Sequence, residues 1–255
     1  MKKNMLGDKL KVFDNRYLAN VISELYLDHE DLREEIESRI NTAIQNQDSD
    51  KKNKLLEDAR LPMYPDHYTL NDFDSSCLSS NDKKNYEQLT KLAFLEVRDH
   101  PNLIIYGPPK QGKEKLAIGL ADMLCKHKHS VLYIDFHKLL TIISTHEVLS
   151  ENNTTYEDLL KVECLIIHDF VGQNIYDPDL LDALDVLLQE RVDRQISKHK
   201  SRWKPHLTYV DTCYPPNEWA KHFTADTMKV VNIINNLYGM GVTITVDESD
   251  KTKKN

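Results

Sequence analysis

No stretch of this 255-residue sequence is apolar for long enough to cross a bilayer. The opening MKKNMLGDKLKVFDN also lacks the apolar core of a secretory leader. A cytoplasmic location is expected, with no membrane role. The sequence has no C-x-x-C pair: Cys77, Cys125, Cys164 and Cys213 lie far apart, which argues against a zinc site or a disulfide framework. It lacks a positive balance as well. With 33 Lys and Arg against 41 Asp and Glu the net charge is −8, which disfavours uniform non-specific nucleic-acid binding and leaves room for a local basic patch. There is no G-x-S-x-G, so His168 beside Asp169 has no nucleophile motif to serve. There is no H-E-x-x-H, so His127, His129, His137 and His146 read as single surface histidines.

What is present is ordinary globular material, 40% apolar and 29% charged, enough for one large domain or a small and a medium one. Residues 1–61 read as helices only. Asp14 or Asn15 can cap a first helix carrying Leu18, Val21, Ile22 and Leu25. A second starts near Asp28 or His29 and carries Leu32, Ile36, Ile40 and Ile44 on one stripe. Asn46–Lys54 is either a loop or the solvated middle of a long helix, and its Lys51, Lys52 and Lys54 read more readily as a solvated face than as a DNA contact. Pro62 and Pro65 close the helical region. The expected organisation is a helical N-terminal domain over 1–70, a linker over 71–85 rich in Ser, Asp and Asn, and a second domain over 86–255 that opens with a helix from Glu87.

From Asn102 onward, short apolar runs alternate with helical patterns. The runs are Leu103–Tyr106, Val131–Ile134, Cys164–Ile167, Leu207–Val210 and Val242–Val246, as expected of five parallel strands buried on both faces. Between them lie Lys115–Lys126, Lys138–Val148 with Tyr156–Leu160, Leu180–Ile196 and Ala225–Leu237. The fold class is α/β, a parallel five-stranded sheet covered by helices, and ligands of such sheets sit at the carboxyl ends of the strands.

The first of those ends carries Gly107-Pro108-Pro109-Lys110-Gln111-Gly112-Lys113-Glu114, a G-x-x-x-x-G-K between a strand and a helix. Loop N–H groups and the helix N-terminus would surround a phosphate chain, and Lys113 would supply a point charge to its outer phosphates. ATP is the expected cofactor, with Mg²⁺. The Ser or Thr that normally follows the lysine and binds Mg²⁺ is here Glu114. A further strand ends in Leu165-Ile166-Ile167-His168-Asp169-Phe170. P-loop ATPases keep one carboxylate at such an end for Mg²⁺ and a second, next in sequence, for the attacking water.

Together with Ala59-Arg60-Leu61-Pro62, Tyr68-Thr69-Leu70-Asn71-Asp72-Phe73-Asp74, the run Asn102–Ala121 and Tyr214-Pro215-Pro216-Asn217-Glu218-Trp219, this order and spacing resembles the IstB-like AAA+ ATPases that help transposases, and their relatives the DnaC-type helicase loaders. The resemblance implies a three-layer P-loop AAA+ module with strand order 5-1-4-3-2, a small helical N-terminal domain ahead of it, and neighbours that complete each other's sites. It also exposes departures. The loop's Gly-x-Gly is Lys110-Gln111-Gly112; if that position needs a positive φ, Lys110 costs about 1 kcal/mol. The first acid of the Walker B pair is His168 and the second, Asp169, is kept to face the γ-phosphate. The sensor strand ends Asp211-Thr212-Cys213 instead of Thr-Ser-Asn, with Thr212 as the candidate sensor. The family's arginine finger aligns with Asn236 and its second sensor with Lys251.

These departures point to a site that binds nucleotide weakly or without turnover. Compensation is the alternative: Glu114 and Asp169 as Mg²⁺ ligands, with Asp135 or Asp211 near the metal. The implied partners are DNA, a transposase or replicative helicase recruited through the N-terminal domain, and further copies of this chain or an intact family ATPase. The rival role is a non-hydrolysing adaptor that uses the module only as a scaffold for a partner protein. Arg191, Arg194, Lys198, Lys200, Arg202 and Lys204, opposed only by Asp193, form either a phosphate-contacting stripe with Trp203 able to stack, or a solvated helix end.

Overall fold

The computed structural model describes residues 10, 16–62, 68–92, 101–145, 154–196, 206–223, 227–238 and 241–246. They divide into two compact units, Met1–Lys54 and Leu55–Asn255. No helix among the described residues is long and apolar enough to cross a membrane.

The first unit contains α1 (Arg16–Asp28) and the start of α2 (Arg33–Asp58). Ile36, Ile40 and Ile44 recur at helical spacing and meet Leu10, Ala19, Ile22 and Tyr26 in a small core. The polar stretch Asn46–Lys54 is helical, the solvated part of α2. Leu25 and Leu32, expected on the buried stripes, are exposed. Arg33 holds the turn between the helices by donating from Nε to Tyr26 O at 2.9 Å.

The second unit is built on five parallel strands: β1 (Asn102–Tyr106), β2 (Val131–Asp135), β3 (Cys164–His168), β4 (Leu207–Thr212) and β5 (Gly241–Thr245). Their order is β2-β3-β4-β1-β5, all neighbours parallel, which is the order the resemblance implies. Alternate residues bury on opposite faces. Ile104, Leu165, Ile167 and Val210 join α5 (Phe136–Thr145), α6 (Tyr156–Lys161), α7 (Pro178–Ile196) and α8 (Thr227–Tyr238) on one side. Leu103, Ile105, Ile166 and Tyr209 join α4 (Lys113–Lys126) on the other. Both faces are therefore dry, which is why these strands read as unbroken apolar runs.

Residues 71–85, expected as a linker, are part of this core. Leu70, Phe73, Cys77 and Tyr86 pack on the α4 side of the sheet, and Leu78 is buried there. The helix α3 (Ser80–Leu92) begins earlier than Glu87 because Ser79 Oγ accepts from Asp82 N at 3.2 Å, an N-terminal cap. Ala59 O accepts from Tyr133 N at 2.9 Å, which covers the edge strand β2.

Strand register sets the site. Tyr106 pairs with Thr212, and Asp135 with His168, so the ends of β1, β4, β3 and β2 lie side by side.

Candidate nucleotide site

The chain leaves β1 through Gly107, whose φ is +155°; a Cβ there would stand 2.1 Å from Val246 O, so only glycine fits. The loop then reaches Lys110 at φ +63° and Gly112 at φ +90°. Lys110 thus adopts the left-handed backbone that the missing glycine would have taken freely, at a cost of about 1 kcal/mol. Helix α4 starts at Lys113, which is only 6% exposed and donates from Nζ to Pro108 O at 2.8 Å. The ammonium closes the loop on itself and keeps further protons for a phosphate.

A cleft of about 360 Å³ opens here. Pro109, Lys110, Gly112, Lys113, Glu114 and Lys115 line it from the loop and α4, and His168, Asp169, Asp211 and Cys213 from β3 and β4. Three chain segments that are remote in sequence therefore meet at one concave, charged surface at the carboxyl end of the sheet.

Glu114 lies in the first turn of α4, where a carboxylate is favoured by the helix dipole and competes with a phosphate for the same N–H groups. Its Oε1 accepts from Tyr133 OH at 3.5 Å and stands 4.0 Å from His168 Nε2. His168 is fixed from its other side: Nδ1 is 2.9 Å and 3.0 Å from the two carboxylate oxygens of Asp211. Asp211 is 2% exposed and also accepts from Asp169 N at 3.3 Å. The Tyr133 ring stacks beside the imidazole with centroids 5.6 Å apart. Burial by itself pulls the His168 pKa down, but the hydrogen bond and charge of Asp211, joined by Glu114 and Asp169, outweigh it and raise the pKa above its ordinary value. Burial pushes the Asp169 carboxyl up; His168 opposes this, Asp211 and Asp135 reinforce it, Lys113 opposes it again, and the net shift is upward.

The segment after β3 is bent sharply. Asp169 has φ +52° and Val171 φ +67°, a left-handed backbone that is a genuine outlier for a β-branched residue. Gly172 N donates to Asp169 O at 2.8 Å, and Asp169 Oδ2 lies where a Cβ on Gly172 would be, 2.0 Å away. The Asp169 side chain is thus laid over its own turn.

Thr212 does not reach the cleft. It is fully buried, and its Oγ1 accepts from Tyr214 N at 3.2 Å. Strand alternation turns 211 and 213 toward the cleft and 212 away. Asp135 caps α5, its Oδ1 accepting from His137 N at 2.9 Å. Asn236 donates to Asp185 Oδ1 at 3.3 Å within the same unit. Lys251 lies outside the described residues.

The basic stripe is corrected at its start. Arg191 is fully buried, because Leu184, Leu187, Leu188 and Arg191 share the inward face of α7. Its guanidinium donates to Thr208 Oγ1 at 3.0 Å, to Val162 O at 3.2 Å, and to Leu159 O and Leu207 O. Burial lowers its pKa to about 10. Arg194 is half-buried and donates to Leu160 O at 3.3 Å. Both arginines staple α7 to α6. Lys198, Lys200, Arg202 and Lys204 lie outside the described residues.

Magnesium at a nucleotide takes one or two protein oxygens beside the phosphates and waters, and the positions expected to supply them are altered or engaged here. The hydroxyl is gone from position 114, an imidazole stands at 168, Asp211 is taken by that imidazole, and Asp169 is folded over its turn. Among the described residues no group of three or more His, Cys, Asp or Glu side chains is arranged to hold a metal ion.

A parallel sheet in this order, with a Gly-x-x-x-x-Gly-Lys loop between β1 and α4, is the P-loop AAA+ architecture that the resemblance implies. The family model described as IstB-like ATP binding protein matches residues 10–201, and the chain belongs to that family. It is 35% identical over 123 residues to the insertion sequence ATP-binding protein y4uH of Sinorhizobium fredii, covering 45% of this chain and 49% of that protein. The chain spans about half the length, or less, of the curated relatives it matches. Among solved structures it is similar to DnaI, with TM-score 0.54 and 17% identity over 71% of this chain and 88% of that one. It is similar to the DnaC helicase loader too, with TM-score 0.53 and 12% identity over 71% of this chain and 97% of that one. At those identities the likeness is one of fold.

Proposed function

We propose that this chain is an ATP-binding helper of DNA transposition that holds nucleotide with little or no hydrolysis. The observation that carries the reading is the contrast within one cleft. The loop from Gly107 to Lys113 has the backbone and buried lysine of a phosphate cradle, while the acid that hydrolysis needs at the end of β3 is a histidine pinned by Asp211. Family membership and the insertion-sequence relative favour transposition over replication; the resemblance to helicase loaders is of fold. In this reading bound ATP sets the state of the module, and the helical N-terminal region engages a transposase. With Asn236 standing at the arginine-finger position, further copies of this chain bring one another no trans charge, and an intact family ATPase would be the partner that supplies it. The adaptor role, in which nucleotide is dispensable, is favoured by one observation: Glu114 places a carboxylate at the N-terminus where phosphates would sit.

Calorimetric titration of ATP into the full chain separates the two. Micromolar binding that Lys113→Ala removes supports the helper; an absence of binding at millimolar ATP leaves the scaffold.

A further inference from the structure

We propose that this cleft takes nucleotide phosphates without a divalent cation, the His168–Asp211 pair standing where a P-loop ATPase keeps its metal-holding carboxylate. The inference rests on the cleft being a nucleotide site, and it concerns what neutralises the phosphates there.

The argument starts from where each carboxylate is spent. Asp211 is buried and gives both oxygens to His168 Nδ1, so it is not available to a metal or to metal-bound water. The same contact fixes the ring: with Nδ1 held by Asp211, Nε2 points the other way, toward Glu114 at 4.0 Å. Glu114 thus faces the imidazole and the Tyr133 hydroxyl. Asp169 lies over the Gly172 turn.

Three acids therefore surround one imidazole, with Asp211 spent on it and Glu114 turned toward it. The positive charge that lines the cleft belongs to the protein: Lys110, Lys113 and Lys115. A metal at that strand end would find, in place of an acid to hold it, an imidazole already bound to Asp211. A free triphosphate would meet Lys113 Nζ and the loop N–H groups with its own charge unshared.

The histidine and its acid also explain each other. An unpaired Asp at 211, buried beside a second Asp at 168, would set two carboxylates against one another; histidine at 168 turns that repulsion into a hydrogen-bonded pair. The acid has in effect moved one strand over, from the end of β3 to the end of β4, and its charge is consumed within the protein.

The test is calorimetry of the full chain with ATP, once with excess Mg²⁺ and once with EDTA. The expected result is binding in EDTA equal to, or tighter than, binding in Mg²⁺. Binding at least tenfold tighter in Mg²⁺ overturns the inference and leaves the nucleotide reading intact. No binding in either buffer overturns both. A second arm uses His168→Asp with Asp211→Asn, which restores one acid at the end of β3 without a facing carboxylate. This variant should bind ATP at least tenfold more tightly with Mg²⁺ than with EDTA. A folded double variant, checked by circular dichroism, that stays indifferent to Mg²⁺ would show that the pair is not the cause.

Discussion

Two regions line the cleft, and they have fared differently. The β1–loop–α4 side is intact in backbone: Gly107 has no room for a Cβ, Gly112 has a positive φ, and Lys113 is buried and poised over the loop. The β3–β4 side departs from what the resemblance implies: a histidine stands where an acid is expected, locked to Asp211, and a turn is bent through Asp169 and Val171. The comparison teaches that binding and hydrolysis are separable demands. Phosphate binding draws on backbone N–H groups and one cation, which side-chain drift elsewhere does not touch. Hydrolysis draws on carboxylates and a trans charge, each a single side chain that one substitution removes.

That contrast can be broken or sharpened by variants, in order of expected effect. Arg191→Ala strips donors from Thr208 Oγ1 and three carbonyls in a fully buried place. At roughly 1 kcal/mol or more for each orphaned acceptor it should destabilise the unit by at least about 4 kcal/mol, read by urea denaturation. Loss of DNA affinity without loss of stability would return Arg191 to a phosphate-contacting role. Lys113→Ala should weaken ATP binding by about a hundredfold, equivalent to roughly 2.7 kcal/mol, with stability changed far less. A variant that binds ATP as the wild type does would empty the cradle of its function.

The His168–Asp211 pair should make stability depend on pH. The histidine's folded pKa is raised, so the folded state binds the proton more tightly than the unfolded chain does. The stabilisation is fully present below the ordinary histidine value near 6.5 and is lost as pH rises through the higher folded value. Denaturation midpoints should therefore fall with rising pH across that window, and His168→Gln should flatten the fall. Asp169, whose folded pKa is also raised, acts in the same sense but in the acid range, near and above 3.8, so the two windows are separable. The smallest effect concerns assembly. With Asn236 engaged by Asp185 in its own unit, ATP should leave the sedimentation profile of the purified chain nearly unchanged. A large ATP-driven oligomer would point to another residue as the trans charge.

Much of this was legible in the sequence. Five apolar runs gave five strands, because a sheet dry on both faces needs no polar alternation, and the Gly-Lys loop between a strand and a helix marked the cleft. His168, where the resemblance expects an acid, is read directly from the sequence too. Its partner is less so: in the sequence Asp211 reads as one of four acids at or near a metal, with Glu114, Asp169 and Asp135, and only the pairing of β3 with β4 shows it bound to His168 instead. Tyr133 gave no sign at all, since it joins the site through strand order and not through a motif. Arg191 misled because a run of basic residues hides a helix's inward face; the spacing from Leu184, Leu187 and Leu188 was the signal that could have found it. Residues 71–85 read as a linker because polar caps such as Ser79 and Asp82 look like loop composition until their hydrogen bonds are seen.

The most direct test of the account is the fate of bound nucleotide. Protein in excess over radiolabelled ATP, with Mg²⁺ present, is quenched over several hours and the ADP formed is counted. The account predicts that ATP is bound and recovered intact, at a rate of loss indistinguishable from buffer. Conversion of the bound ATP to ADP within minutes by the chain alone, abolished by Asp169→Asn, would contradict it, since the β3–β4 side would then be a working catalytic end.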